Sequence, residues 1–140
     1  MLHEGEGIEK GFFWYNIPEF DIKGERLFLK SSPDTDFWQW THYGFQRDTG
    51  HCLLKPIDYD FSMSVRTEFF PKNQYDQCGL IVRIDSENWI KTSVEFENPR
   101  HSRLGSVVTN FGYSDWRPLI FVPRFILYGI EFRVKGMISY

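Results

Sequence analysis

A chain of 140 residues carrying charges of both signs and a net charge of −3 lacks the basic surplus that nucleic-acid binding requires. Its aromatic content of 19%, with five Trp and fourteen Phe, excludes a disordered chain and suits packed β-sheet. The length suits one domain that buries about two-thirds of its unfolded surface, and no apolar run is long enough for a membrane span.

Residues 1–11 are rich in Gly and Glu and read as a frayed start with no apolar signal-peptide core, so the expected location is the cytoplasm. Phe12–Ile17 is a short aromatic strand stopped by Pro18. Asp21–Glu25 is a turn, and Arg26–Lys30 a strand. A loop at 31–36 follows, in which Asp34 and Asp36 fit plain Asx turns better than a calcium site. Residues 37–45 crowd together Phe37, Trp38, Trp40, His42, Tyr43 and Phe45, a cluster that belongs in a core or rim or forms a ligand platform. Gly50 and Pro56 bracket a small strand at 51–55. From 58 to 70 the chain alternates, with Phe61, Met63, Val65, Thr67 and Phe69 inward and Ser62, Ser64, Arg66 and Glu68 outward.

Residues 75–85 and 88–97 form the central hairpin, joined by the turn residues Asp85-Ser86-Glu87-Asn88. Period two places Gln77, Gly79, Ile81 and Arg83 on one face of the first strand. Trp89, Lys91, Ser93, Glu95 and Glu97 share a face of the second. This polar and aromatic face is expected to meet water. A turn at 98–102 and a strand over 104–111 follow, with Val107, Thr109 and Phe111 on one face. No window holds a helical period, so short strands between Gly, Pro and Asx turns predict an all-β, antiparallel sandwich or barrel.

Several motifs, in order, carry a family resemblance: Tyr75-Asp76-Gln77-x-Gly79-Leu80, Asn88-Trp89-Ile90-Lys91, Val94-Glu95, Val107-Val108-Thr109-Asn110 and Ser114-Asp115-Trp116. Upstream, Asp36-Phe37-Trp38 and Thr41-His42-Tyr43-Gly44-Phe45 belong with them. Over residues 12–116 the chain resembles the domain of unknown function 1349 family, also called regulation-of-enolase-like proteins. That resemblance implies a concanavalin A-like jelly-roll sandwich with a concave sheet. It implies no established reaction, but a link to the regulation of sugar metabolism, and carbohydrate binding only through kinship of fold.

The resemblance ends at Trp116. The family continues with a pattern like Trp-Tyr-Arg-Ile-Ser-Arg-Lys-Gly-Asp-Asp-Phe, absent from this chain. One choice of codons for Tyr128–Tyr140, read one base out of register, yields Trp-Tyr-Arg-Ile-Ser-Arg-Lys-Gly-Asn-Asp-Phe-Leu. Residues 117–140 are therefore expected to be an out-of-frame tail in place of the C-terminal strands, against the alternative of a genuine divergent strand. An intact reading frame across codon 117 would overturn this.

The candidate ligand face comprises Gln77, Arg83, Trp89, Lys91 and Glu95. Thr109, Asp115 and Trp116 join it if the strand over 104–110 lies beside the hairpin, and Trp38 and His42 supply a second aromatic group. An aromatic platform beside planar polar groups suits sugar hydroxyls, and cross-strand pairing of exposed residues is the competing account. Glu95 and Glu97 stand roughly 6.5–7 Å apart along a strand. That spacing is compatible with the carboxylate pair of a glycosidase at about 6.5–9.5 Å. The Glu-x-Asp-x-x-Glu motif of jelly-roll glucanases is missing, so Glu95 is at most a weak catalytic candidate and solvated pairing with Lys91 or Arg83 is favoured. His42 has no nucleophile beside it. The four His and two Cys have no metal-ligand spacing, and no phosphate loop or dinucleotide fingerprint appears, so no metal or cofactor is expected. Cys52 and Cys78 sit in apolar runs and are expected as free thiols. The expected partners are a carbohydrate or other small molecule and, as an alternative, a metabolic enzyme, with neither nucleic acid nor membrane.

Overall fold

The computed structural model describes residues 10–123 and 127–134, and side chains as far as residue 118. Every regular element among them is a β-strand and every strand pairing is antiparallel. No helix there is long and apolar enough to cross a membrane. The chain forms two compact units, residues 1–58 and 59–140.

Three two-stranded ladders build the first unit. β1 (Phe13–Tyr15) pairs with β6 (Cys52–Leu54), β2 (Glu19–Lys23) with β3 (Arg26–Lys30), and β4 (Phe37–Gln39) with β5 (Gln46–Asp48). The segment expected to turn at Asp21 is already strand, because Phe20 and Ile22 point inward and the turn is left to Gly24-Glu25. Trp14, 1% exposed, packs its ring 5.0 Å from Phe20. His51 ties the loop to this core: its Nε2 accepts the Ser32 N–H at 3.1 Å and its Nδ1 meets the Asn16 carbonyl oxygen. With both ring nitrogens engaged by the backbone, His51 is a structural residue. Both cysteines are free thiols.

In the second unit β7 (Phe61–Glu68) pairs with β12 (Leu127–Val134). β8 (Gln77–Arg83), β9 (Trp89–Asn98), β10 (His101–Asn110) and β11 (Tyr113–Pro123) form a four-stranded sheet in the order β11-β10-β9-β8. The expected alternation of β7 holds, with Phe61, Met63, Val65 and Thr67 less exposed than the residues between them. Burial pushes the thiol of Cys78 on β8 above its ordinary pKa, with the nearby Thr67 hydroxyl pulling more weakly the other way. The expected turn at 98–102 shrinks to Pro99-Arg100, since His101 already pairs with Asn98. A register shift there leaves Glu97 as the extra residue of a bulge. Strand continues through residue 117 to Pro123, with one register shift between Leu104 and Gly105.

The turns at one end of this sheet are bonded together. Asn110 closes β10 rather than Phe111, which lies in the turn with φ 49° and is followed by Gly112 at φ 79°. Two positive φ values in a two-residue loop match the twist of an antiparallel hairpin. The Asn88 side-chain oxygen accepts the Phe111 N–H at 3.1 Å, and the Glu87 carbonyl accepts that of Gly112 at 3.0 Å. The Glu87 N–H, followed by the Asn88 amide, holds the Asp85 carboxyl below the ordinary carboxylate range. A lowered folded-state pKa contributes stability that is present above the unfolded value and lost as pH falls through the folded one. Asp85→Asn should therefore be less stable than the parent at neutral pH, with the gap narrowing as the pH falls below the ordinary carboxylate range, as read from urea midpoints.

Candidate functional site

Strand register brings the predicted hairpin residues onto one face. Across β8 and β9, Gln77 stands opposite Glu95, Gly79 opposite Ser93, Ile81 opposite Lys91 and Arg83 opposite Trp89. The third strand extends these rows, with Arg103 opposite Glu95, Gly105 opposite Ser93, Val107 opposite Lys91 and Thr109 opposite Trp89. β11 adds Ser114 beside Thr109 and Trp116 beside Val107. The face is thus a grid of four rows: Arg83-Trp89-Thr109-Ser114, Ile81-Lys91-Val107-Trp116, Gly79-Ser93-Gly105, and Gln77-Glu95-Arg103.

This face does not lie open to water, which corrects the expectation for the hairpin. Trp89 is 2% exposed and Lys91 9%, and Ser93, Thr109 and Ser114 are buried beside them. Meanwhile Ile90 and Val108, which face each other on the opposite side, are exposed. Alternation assigns residues to two faces but does not say which face is covered. Burying a cation and three hydroxyls costs free energy unless each is partnered. The hydroxyls meet that demand locally, since Thr109 and Ser114 share a hydrogen bond at 2.6 Å and Ser93 donates to the Gln77 side-chain oxygen at 3.1 Å.

Trp116, half-buried, lies over Gly105. A Cβ built on that glycine would stand 2.7 Å from the Trp116 indole nitrogen. The Arg103 guanidinium is 5.5 Å from the centre of the Trp116 ring, and its Nε is 2.9 Å from Glu97. Trp116 is therefore the more accessible tryptophan of the face, whereas Trp89 is deeply packed. Asp115 does not join. It pairs with Val108, so its side chain falls on the opposite face, where it meets Arg117 at 3.3 Å. Adjacent strand residues cannot share a face.

Trp38 and His42 belong to the first unit. Trp38 sits half-buried on β4 opposite Arg47, with its indole nitrogen buried and unbonded among the described residues. His42 lies in the exposed turn that follows, its ring 4.8 Å from that of Tyr43, which is 98% exposed. The aromatic run is thus divided between a buried Phe37 and an exposed turn carrying Trp40, Tyr43 and Phe45. Sequence reasoning missed Arg103, because residues 98–102 were assigned to a turn and Arg103 fell outside both strands. It also passed over Ser114, although Ser114-Asp115-Trp116 holds a residue of the right parity.

The curated protein "Regulation of enolase protein 1" of Saccharomyces cerevisiae is 39% identical over 110 residues, which cover 77% of this chain and 54% of that one. The chain thus spans about half the length of that curated relative. A solved structure, "The crystal structure of a functionally unknown protein from Saccharomyces cerevisiae", aligns with a TM-score of 0.75 at 31% identity. That alignment covers 89% of this chain and 67% of the other. Residues 14–134 match the family described as "Protein of unknown function (DUF1349)", a span that runs past Trp116, and the chain belongs to that family.

Proposed function

We propose that the buried polar face of the four-stranded sheet binds a carbohydrate or a similarly hydroxylated small ligand, and that the protein does so in the cytoplasm. The single observation that carries this reading is Trp116 laid over Gly105 beside Gln77, Ser93, Glu95 and Arg103. A flat ring bordered by planar donors and acceptors suits a sugar, whose ring presents C–H groups on one face and hydroxyls at its edge. A hydrolytic role for Glu95 would need a second carboxylate, and Glu97 is engaged by Arg103.

Screening the full chain against a panel of mono- and oligosaccharides by ligand-observed NMR tests this reading. Binding is expected that weakens about tenfold in Trp116→Ala, roughly 1.4 kcal/mol, while the melting temperature falls by only about 5 °C. Silence of the parent protein across the panel would discard the reading. Turnover of chromogenic glycosides that vanishes in Glu95→Gln would replace it with an enzyme.

A second reading has its own observation. Ile84, Ile90, Val108, Phe111 and Tyr113 are exposed apolar residues at the turn end of the same sheet, and the curated relative's name speaks of regulating enolase. Contact with a metabolic enzyme through that end is tested by co-elution with purified enolase, which Phe111→Asp should abolish.

A further inference from the structure

We infer that the tip of the β4–β5 hairpin, Trp40 to Phe45, is a second binding site, and that its ligand is an uncharged oligosaccharide. The tip belongs to the first unit and stands independently of the sheet face proposed above. Two large aromatic side chains are held there where the backbone resists them, and they are exposed where packing cannot compensate.

The hairpin has a fixed base. Phe37 is buried, its ring filling the space that a Cβ on Gly50 would need. The Gln46 side-chain amide donates to the Gln39 side-chain oxygen at 2.7 Å, and the Trp40 N–H closes the loop onto the Phe45 carbonyl at 2.9 Å. Two tight turns fill that loop. The Thr41 N–H reaches the Gln39 carbonyl at 2.8 Å around Trp40, whose φ is 57°. Such a bond across one residue of positive φ is the strained sense of the γ-turn. The Phe45 N–H then reaches the His42 carbonyl at 2.8 Å, with Tyr43 at φ 50° and Gly44 at φ 71° between them. That pair of positive φ values marks a type I′ turn, whose first central position favours Asn, Asp or Gly over a bulky side chain.

Burial does not offset this strain, because Trp40 is 50% exposed and Tyr43 98%. Phe45 differs, with the Arg47 guanidinium 5.0 Å from the centre of its ring. An Asn at position 43 would form the same turn with less strain, so the turn does not call for the ring. Strained residues persist at ligand-binding segments, where a fixed conformation sets the contact group in advance. The chemistry of the tip selects the ligand. Residues 37–46 contain no Asp, Glu, Lys or Arg, which leaves no fixed charge to meet an ion. What the tip offers is two flat rings, the Tyr43 hydroxyl, the Trp40 indole N–H and the His42 ring, set edge-on 4.8 Å from that of Tyr43. A sugar matches this set, with C–H groups on its ring faces and neutral hydroxyls at its rim. Two exposed rings on one tip give a contact to each of two sugar units, which favours an oligosaccharide over a single sugar.

Titrating the isotope-labelled full chain with glucose, cellohexaose and maltohexaose, followed by amide NMR, tests the inference. At least one hexaose is expected to shift the amides of residues 40–46, with glucose binding at least tenfold more weakly. Tyr43→Asn should weaken the hexaose tenfold or more and leave the melting temperature equal or higher, since Asn suits the turn. A lower melting temperature in that variant would show a ring that packs within the fold, and would overturn the inference. Shifts at 40–46 that survive in Trp116→Ala would support the tip even where the sheet face binds nothing. A hexaose that shifts amides of 79–116 alone would overturn the tip and leave the sheet-face reading standing. Silence at 40–46 with both hexaoses, or glucose binding as tightly as they do, would overturn it as well.

Discussion

Gly79→Ala is expected to lower the melting temperature by about 10 °C or more, a loss of roughly 3 kcal/mol. A Cβ on Gly79 would stand 2.0 Å from the Thr92 carbonyl oxygen, 2.6 Å from the Ser93 Cα and 2.8 Å from the Thr92 carbonyl carbon. All three atoms are backbone, so no rotamer change relieves the clash and the two strands must part. Among the described residues β8 is an edge strand of this sheet, with its ladder there to β9. Parting them breaks the pairs from Gln77↔Glu95 to Arg83↔Trp89 and detaches the β8 column of the candidate site from the other three strands. Thermal unfolding followed by circular dichroism checks this. A melting temperature within about 2 °C of the parent would mean that the strands approach less closely than described.

The same hairpin indicates how far the sequence could be read. Its two strands, its turn at Asp85–Asn88 and the sharing of one face by Gln77, Arg83, Trp89, Lys91 and Glu95 all follow from period-two alternation and Asx chemistry, and the register agrees. Which face is covered does not follow. Both faces are in part covered: Lys91 and Ser93 are buried on one, and Leu80, Val94 and Phe96 on the other, where Ile90 and Val108 are exposed. Covering depends on what packs against a sheet, and alternation within one strand carries no record of that. Placing Asp115 on the face together with Trp116 fails for a simpler reason. Motif resemblance groups neighbours in sequence, whereas a strand sends them to opposite sides. The bulge at Glu97 was equally hidden, because an extra residue is defined by its partner strand and not by its own.

Gly105→Ala should contrast with Gly79→Ala, although both glycines flank Ser93 in the same row. Here the nearest atom to the added Cβ is the indole nitrogen of Trp116 at 2.7 Å, and the backbone oxygen of Arg117 lies farther off at 3.3 Å. The Trp116 side chain is half-buried on an edge strand and can swing away, so stability should fall by about 1 kcal/mol and no more. Swinging away removes the ring from Gly105 and from the Arg103 guanidinium, which is 5.5 Å from its centre. Ligand affinity should therefore drop about tenfold, the loss expected for Trp116→Ala itself. Measuring melting temperature and ligand affinity on both glycine variants separates the two roles: Gly79→Ala loses fold and binding together, and Gly105→Ala loses binding with only a small loss of stability. If Gly105→Ala binds as the parent does, Trp116 is not the platform, and the candidate face loses the aromatic wall on which its specificity for a sugar depends.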